Sequence, residues 1–527
     1  MKTITWGMAL VLCAGPAAAG VSLDKLGTYA TGVFDDGAAE IAAYDAGTKR
    51  LFVVNANAAT VDVIDIADPS QPVLFQTLDA GGDAGLAGAA NSVAVGGGLL
   101  AVAVENDPKQ DNGAIAFYDT DDLAFLGAAT VGALPDMVTF SPDGRYVLVA
   151  NEGEPNADYS WDPEGSVSII DISRGVTEAS VRTADFRRFN KDADKLRAAG
   201  VRIFGPNASV AQDLEPEYVV VSDRQPLAWV LLQENNAVAE INVSSATVTR
   251  IIPLGYKDHS LSGNELDASD RDDAINITGW PILGMYQPDG AAFFRHGGQR
   301  YIVTANEGDA REYDTFEEED RIKDLDLDPD AFPNAADLQE DEAIGRLTVT
   351  TTLGDTDGDG DFDALYAFGA RSFTIWRADN FRPVFDSGSE LEQITANIAP
   401  DYFNFSNDDN DADEFDSRSD AKGPEPEGVV VGEAHGRRLA FVGLERIGGV
   451  AIYDITDPHA PLFQDWVNNR DFTKDAEAEV LAKSGEMDLG PEGLVFIPAA
   501  DSPNGRPLLV VANEVSGTTT IYAVTEP

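Results

Sequence analysis

Cysteine and histidine are the scarcest reactive residues in this chain of 527 residues. The single cysteine, Cys13, lies in the amino-terminal segment, and only four histidines are present, widely separated. If that segment is removed, the remaining chain has no thiol, which excludes disulfide bonds and thiolate ligands. So few histidines also argue against a structural zinc site. Any metal that this chain binds is therefore expected to be held by oxygen atoms.

Basic residues are also few. The chain has 36 lysines and arginines against 91 aspartates and glutamates, which gives a net charge of −55 at pH 7. Such a surface repels phosphate backbones and anionic lipids, so it excludes nucleic-acid and membrane-surface binding and favours metal ions as partners. High net charge also keeps a protein soluble in salt, and this alternative explains the composition equally well. We expect a monomer.

Long apolar runs are absent beyond the amino terminus. No later stretch approaches the roughly 20 apolar residues that cross a bilayer, so we expect no membrane span. The start of the chain has Lys2, an apolar run over residues 4–14 and an alanine-rich end at Ala19, which together are typical of a cleaved secretory signal. We predict a signal peptide at residues 1–19 and a mature domain at residues 20–527. The protein is then secreted or periplasmic, with association with the cell surface as an alternative.

A short unit of three strands recurs along the chain. Its clearest copy, residues 423–454, has three short runs rich in Val, Ile, Phe and Tyr that are separated by turn residues. A fourth, outer strand follows most copies, and this kind of repetition is typical of a β-propeller. We count eight units, and take residues 345–352 as the third strand of the fifth. The sixth, residues 364–377, lacks a clear first strand, and merging it with the fifth leaves seven.

The pattern predicts an all-β fold, a single β-propeller of seven or eight four-stranded blades. Residues 23–33 have the character of an outer strand without a unit of their own, so we predict that this amino-terminal strand pairs with the last blade. That pairing closes the ring and removes exposed edges. Loops on a rigid ring are the usual place for function. Acidic insertions are predicted at about residues 183–213, 257–286, 308–344 and 391–422.

Acidic residues and amides mark the strand ends. The first strands open on Glu40, Asn91, Asp136, Glu217, Asp289, Glu427 and Glu492. The second strands close on residues such as Asn151-Glu152, Gln233-Glu234, Asn306-Glu307, Glu445 and Asn513-Glu514. Because the first strand of a blade lines the channel and the second is its neighbour, both sets are expected around one mouth. Crowded carboxylates raise one another's pKa unless a cation neutralises them, so we predict Ca²⁺, with Mg²⁺ or another hard divalent cation as alternatives.

The predicted metal ligands fall into two groups. Those at the mouth are Glu152, Glu154, Glu307, Asp309, Glu427 and Glu492. The others are Asp355, Asp357 and Asp359, which alternate with small residues in the string DTDGDGDFD and resemble the first half of an EF-hand loop. Position twelve of that loop is Tyr366, which excludes a complete EF-hand.

Structural alternatives remain open at these positions. An Asn or Asp at a strand end often caps a turn by bonding the backbone. The string DTDGDGDFD is alternatively a solvated acidic turn, and we interpret residues 407–416 as a solvated loop.

A few cations stand out beside the acidic strand ends. Arg371 occupies in the sixth unit the place that Glu445 has in the seventh. One interpretation is that these cations pair with carboxylates. The other is that they bind a phosphate group held by metal, with Arg371 and Glu427 as the catalytic residues. The substrate-binding residues in that case are Arg311, Arg371, Arg418, Lys422 and Arg446. Covalent catalysis has no support, since no Ser-His-Asp order, P-loop or metalloprotease helix is visible.

Five strings carry a resemblance to a known family. They are Asn151-Glu152-Gly153-Glu154-Pro155, Asn306-Glu307-Gly308-Asp309-Ala310-Arg311-Glu312, Gly369-Ala370-Arg371-Ser372-Phe373, the segment from Ser417 to Gly428, and Gly490-Pro491-Glu492-Gly493. With them the chain resembles the choice-of-anchor I domain family, secreted β-propellers related to mesenchyme-specific cell-surface glycoproteins. Some relatives carry alkaline-phosphatase labels. The resemblance implies either an exported calcium-binding propeller that hydrolyses a small phosphorylated substrate or a non-catalytic surface or matrix protein with structural calcium.

Overall fold

The computed structural model describes residues 20–407 and 414–526. The predicted signal peptide, residues 1–19, lies outside the described residues, as does most of the loop at 407–416. The described chain forms seven four-stranded sheets, one five-stranded sheet and one two-stranded sheet. The predicted all-β propeller is confirmed, and the four-stranded sheets give seven blades. Among the residues described, no helix is long and apolar enough to cross a membrane.

Blades one to four use consecutive strands. In chain order the elements are β1 (Ser22–Ala30), β2 (Ala42–Asp45), β3 (Arg50–Asn55), β4 (Thr60–Asp65), β5 (Val73–Leu78), α1 (Ala80–Ala84), β6 (Ala90–Gly96), β7 (Leu99–Val104), β8 (Asn112–Asp119), β9 (Phe125–Ala133), β10 (Pro135–Phe140), β11 (Tyr146–Asn151), β12 (Ser166–Asp171), β13 (Ser180–Asp185), α2 (Ala193–Ala199), α3 (Val210–Asp213), β14 (Val219–Val221), β15 (Leu227–Leu232), β16 (Ala237–Asn242) and β17 (Thr247–Pro253). Blade one is β2 to β5, blade two β6 to β9, blade three β10 to β13 and blade four β14 to β17.

Blade five is interrupted by an inserted sheet. The elements continue as β18 (Tyr256–Asp258), β19 (Leu283–Met285), β20 (Ala291–His296), β21 (Gln299–Asn306), β22 (Glu312–Tyr313), β23 (Phe316–Glu317), β24 (Glu319–Arg321), α4 (Ala335–Leu338), β25 (Thr348–Thr350), β26 (Tyr366–Ala367), β27 (Ser372–Arg377), β28 (Arg382–Asp386) and α5 (Glu390–Ile398). Blade five consists of β20, β21, β27 and β28, while β18, β19, β24, β25 and β26 form the five-stranded sheet.

The last two blades complete the ring. Their elements are β29 (Pro426–Ala434), β30 (Arg437–Leu444), β31 (Val450–Asp454), β32 (Leu462–Val467), α6 (Ala476–Leu481), β33 (Pro491–Ile497), β34 (Leu508–Asn513) and β35 (Thr518–Thr525). Blade six is β29 to β32. Blade seven is β33 to β35 with β1 as its outer strand, which pairs antiparallel with β35 as predicted.

The inserted sheet corrects two strand assignments. Residues 345–352, predicted as the third strand of the fifth unit, instead contribute β25 to the inserted sheet, and the third strand of blade five is β27. The predicted sixth unit is therefore no separate blade. The insertions at 257–286 and 308–344 are also more than loops, because they share an apolar core that includes Leu266, Phe332 and Leu347.

The blades pack through apolar second strands. All six residues of β34 are buried, because this strand lies between its two neighbours in the sheet and has another blade on each face. The outer strand β5 is largely exposed. No ladder joins one blade to the next within the described ranges, and the first strands instead contact one another around the ring, from β2 through β33 and back to β2.

Candidate metal centre

The first strands surround a cavity of about 490 Å³. Six of the seven predicted strand-opening residues line it. Blade four is the exception, because Tyr218 lines the cavity there and the neighbouring Glu217 does not. The six are Glu40, Asn91, Asp136, Asp289, Glu427 and Glu492. No lysine or arginine is among the described residues that line the cavity. Five carboxylates from five blades therefore face one enclosed space.

Glycine follows the acid in three adjacent blades because the first strands approach closely there. A Cβ added to Gly428 would lie 2.2 Å from the carbonyl oxygen of Glu492, and one added to Gly493 would lie 2.3 Å from that of Glu40. No side chain fits at such distances. The acid-glycine pairs thus bring the backbones of blades six, seven and one together and place their carboxylates side by side.

The cavity acids act on one another electrostatically. Burial, followed by the charge of Glu514, raises the pKa of Glu40 to about 8. Burial and the charge of Glu445 raise the pKa of Glu427 well above its usual value, and burial and the charge of Glu40 do the same for Glu492. The Oε2 atoms of Glu427 and Glu492 are buried without a hydrogen-bond partner among the described residues. An added cation would relieve both the repulsion and the missing bonds.

The other predicted glutamates fall into two separate groups. Glu152 joins Glu215 and Glu234, and each of these three offers an oxygen within 4.8 Å of the others. We call this set the Glu234 cluster. Glu307 joins Glu425 and Glu445 with the same spacing, and we call this set the Glu425 cluster. The predicted mouth ligands Glu152, Glu307, Glu427 and Glu492 are thus distributed over two clusters and the cavity.

The Glu425 cluster carries its own cations. Lys422 Nζ lies 2.5 Å from Oε1 of Glu307 and 3.3 Å from Oε2 of Glu425. Arg418 lies 2.7 Å and Arg446 3.4 Å from Glu425. Although burial alone would raise it, the charges of Lys422, Arg418 and Arg446 lower the pKa of Glu425 to about 2. The three acids of this cluster are thus paired with three cationic side chains.

The Glu234 cluster is less well compensated. Arg311 contacts Asp213 at 2.5 Å and Glu215 at 2.6 Å, so it serves these two acids. Glu234 is 5% exposed and Glu217 is 9% exposed, and in each the Oε2 atom is buried without a hydrogen-bond partner among the described residues. Burial, followed by the charge of Glu234, raises the pKa of Glu217 well above its usual value.

Arg371, the predicted catalytic arginine, is buried in contacts with the inserted segments. Its Nη1 donates to the carbonyl of Asp267 at 2.6 Å and to Oε1 of Glu392 at 2.7 Å, and its Nη2 donates to the carbonyls of Ser419 at 2.8 Å and Ala421 at 2.9 Å. Both terminal nitrogens are thus used to hold the inserted segments together. The alignment with Glu445 failed because the sixth unit is not a blade.

The remaining predicted cations also pair with acids. The ion pairs described above are the contacts that the pairing interpretation predicts, and they involve Arg311, Arg418, Lys422 and Arg446.

Two further predicted ligands are members of neither cluster. Glu154 pairs with Lys109, and Asp309 is exposed, with its carbonyl accepting a hydrogen bond from Gln287 at 2.5 Å. Two asparagines at second-strand ends bond side-chain hydroxyls of the third strand in their own blades, which is a different contact from the backbone cap of the alternative. These are the bonds from Asn151 to Ser168 at 3.0 Å and from Asn306 to Thr374 at 2.8 Å.

The acidic loop at residues 355–363 is a tight, exposed turn. Asp355, Asp357 and Asp359 are exposed and offer oxygens within 4.8 Å of one another. Asp355 also accepts hydrogen bonds from the backbone of Gly358 at 2.7 Å and Gly360 at 3.2 Å. This geometry is compatible with both the calcium-loop and the solvated-turn interpretations.

Sequence reasoning missed Glu215 and Glu425, which are the most buried acids of the two clusters. A repeated motif could have found them. Blade four begins with Glu215-Pro216-Glu217 and blade six with Glu425-Pro426-Glu427, so both acids stand two residues before an opening glutamate.

Comparison with known proteins shows the family of the chain. A family model described as choice-of-anchor I domain matches residues 40–458. Gigasin-3a of Magallana gigas is 33% identical over 196 residues, which are 36% of this chain and 66% of that protein. A mesenchyme-specific cell surface glycoprotein of Strongylocentrotus purpuratus is 26% identical over 330 residues, which are 54% of this chain and 42% of that protein. The chain thus spans less than two thirds of either curated relative.

Solved structures with related folds are distant. A chain of Kuenenia stuttgartiensis hydrazine synthase matches with a TM-score of 0.46 and 12% identity, covering 95% of this chain and 100% of its own. The Myceliophteria thermophila Cps50 (Swd1) beta-propeller domain matches with a TM-score of 0.42 and 9% identity, covering 96% of this chain and 100% of its own. The seven blades described above rest on the hydrogen bonds of this chain alone.

Proposed function

The chain belongs to the choice-of-anchor I family, and from this premise we propose that it is an exported, non-catalytic propeller of the cell surface or matrix that binds divalent cations, Ca²⁺ first, at the mouth of its central channel. The observation that carries the proposal is the cavity lined by five carboxylates from five blades, with no lysine or arginine in its described lining. The similarity to a mesenchyme-specific cell surface glycoprotein supports the proposed location at the cell surface.

The chemistry of the cavity suits a hard cation. Its charged ligands are oxygen atoms only, which Ca²⁺ and Mg²⁺ prefer. In the described residues no three cavity acids have oxygens within 4.8 Å of one another, so an ion there would keep part of its water. Two of these acids, Glu427 and Glu492, have an unpartnered oxygen to offer.

Phosphoester hydrolysis is the alternative that the geometry favours less. Glu427 does face a cavity large enough for a small phosphorylated substrate. The cations assigned to hold the phosphate are engaged elsewhere, with Arg371 buried against backbone carbonyls and Lys422 paired with Glu307. Without a free cation, only bound metal would neutralise the transferring group.

Calcium titration of the purified protein tests the proposal. We expect equilibrium dialysis to show bound Ca²⁺ and melting experiments to show a higher melting temperature. When the free ion is at 100 times its Kd, the free energy of unfolding should increase by about 2.7 kcal/mol. Glu427→Gln with Glu492→Gln should lose the channel ion. A wild-type protein that binds no Ca²⁺ or Mg²⁺ would refute it. Metal-dependent turnover of an aryl phosphate that Glu427→Gln abolishes would show that the protein is a hydrolase and would overturn the non-catalytic part of the proposal.

A further inference from the structure

Blades four and six are built on the same acidic motif but differ at two positions beside it. The motif is Glu-Pro-Glu, and its first acid is Glu215 in blade four and Glu425 in blade six. Three residues before this acid, blade four has Gln212 where blade six has Lys422. Two residues after the last residue of the second strand, blade four has Glu234 where blade six has Arg446. Blade four thus lacks both cations, while the two blades have the same number of acids, because blade six has Glu445 where blade four has Gln233.

In blade six the side chains at these two positions contact Glu425, the first acid of the motif. Lys422 lies 3.3 Å and Arg446 3.4 Å from Oε2 of Glu425. In blade four the side-chain nitrogen of Gln212 instead donates to the carbonyl of Asp162 at 2.8 Å, which directs it away from the cluster. The place of the lysine ammonium therefore has no counterpart among the side chains of blade four.

Arg311 does not make up the difference. It contacts Asp213 and Glu215, so one positive charge is shared by two carboxylates. The salt bridges within residues 20–407 and 414–526 include none to Glu152, Glu217 or Glu234. Glu217 and Glu234 are more than nine-tenths buried, and each has a buried oxygen without a partner in the part of the chain described. Buried, unpaired carboxylates are costly, which points to a missing cationic ligand.

We propose that the Glu234 cluster is an off-axis calcium site, in which the ion takes the place that the lysine ammonium has in blade six. The ligands are oxygens of Glu152, Glu215 and Glu234, with Glu217 beside them, and water completes the shell. Two oxygens on one Ca²⁺ lie at most about 4.8 Å apart, since each Ca–O distance is about 2.4 Å. The cluster meets this limit. The inference rests on the proposed function, because it assigns one of the ions that the mouth binds.

Counting bound ions separates this site from the channel. Equilibrium dialysis with radioactive calcium should show one ion fewer in Glu234→Gln than in the wild type. Glu445→Gln is the matched control, because it removes an acid from the cluster that already has cations, and it should bind the wild-type number. In EDTA, Glu234→Gln should melt no lower than the wild type, since an unpaired buried charge is removed.

A second variant copies blade six into blade four. Gln212→Lys should place an ammonium beside Glu215, remove one bound ion and raise the melting temperature in EDTA. If Glu234→Gln and Gln212→Lys both bind as many ions as the wild type, the off-axis site is wrong while the proposed function stands. If the wild type binds no calcium, both are wrong. Loss of one ion in both variants, with the control unchanged, supports the site.

Discussion

Lys422 and Glu307 stand on neighbouring blades, and the Nζ atom of the one lies 2.5 Å from the Oε1 atom of the other. Glu307 follows the second strand of blade five and Lys422 precedes the first strand of blade six. Their ion pair joins the two blades at the mouth. The two sides of the mouth therefore differ in charge. At blades five and six the acids have cationic partners, whereas at blades three and four some acids are unpaired within the described part of the chain.

Removal of the lysine should strongly destabilise the fold. Lys422→Met leaves Glu307 and Glu425 without their shared cation, and breaking a buried pair costs about 3–5 kcal/mol. Denaturant unfolding measures the loss. Adding Glu307→Gln to the same chain should recover part of it, because one stranded charge is removed. A single variant within about 0.5 kcal/mol of the wild type would contradict this role.

Arg371 is expected to be structural. Arg371→Lys keeps the charge but cannot make the same forked contacts with Asp267, Ser419 and Ala421, and losing two or three hydrogen bonds should cost about 2–3 kcal/mol. Thermal or denaturant unfolding measures it. Arg382→Lys, at an exposed position of β28, is the control and should be neutral. Unchanged stability in Arg371→Lys would contradict the structural role of Arg371.

Stability should fall as pH rises, in part through Asp416. Burial, followed by the charge of Asp267, raises the pKa of Asp416 from 3.8 to about 9. Its folded pKa lies above the unfolded one, so the folded state binds the proton more tightly. The stability from this group is complete below about pH 4 and is lost as pH rises to 9, at up to about 1.4 kcal/mol per pH unit.

Asp416→Asn should flatten that profile between pH 4 and 9 and be relatively more stable at the alkaline end. Unfolding midpoints measured at a series of pH values show the slope. Asp121→Asn, on an exposed turn, should leave the slope as it is. If Asp416→Asn and the wild type lose stability in parallel, the carboxyl is not protonated in the folded protein.

The channel acids should show calcium-dependent stability. In EDTA, Glu427→Gln combined with Glu492→Gln should raise the melting temperature, because two mutually repelling buried carboxylates become neutral. Added Ca²⁺ should then stabilise the variant less than the wild type. Calorimetric melting with and without the ion gives both numbers. An equal calcium shift in the two proteins would place the ion elsewhere.

Much of the ring was predictable because each blade repeats one pattern. The strand pattern and the first residue of each strand predict five acidic channel residues, and all five line the cavity: Glu40, Asp136, Asp289, Glu427 and Glu492. The repeat places an acid, or Asn91 in blade two, at the start of each first strand. In six of the seven blades that residue lines the cavity, so one motif predicts most of the ring.

The details of the clusters were not predictable for two reasons. The insertion in blade five contains strands of its own, so β25 was indistinguishable in sequence from the third strand of a blade. Adjacent residues at a strand end also face different neighbours: Gln233 bonds Glu307 at 3.2 Å, while Glu234 joins Glu152 and Glu215. Which of two consecutive side chains meets which cluster depends on the turn, and composition does not reveal it.

The strand β1 has its hydrogen-bonded partner at the opposite end of the chain, where Ser22 faces Thr525 and Ala30 faces Thr518. During synthesis the first of these segments leaves the ribosome long before the second. Six blades can therefore be complete while the seventh consists only of its outer strand, β1, because β33, β34 and β35 are synthesised later. Until β35 is synthesised, β1 lacks its hydrogen-bonded partner strand and is an open edge to which another chain can pair.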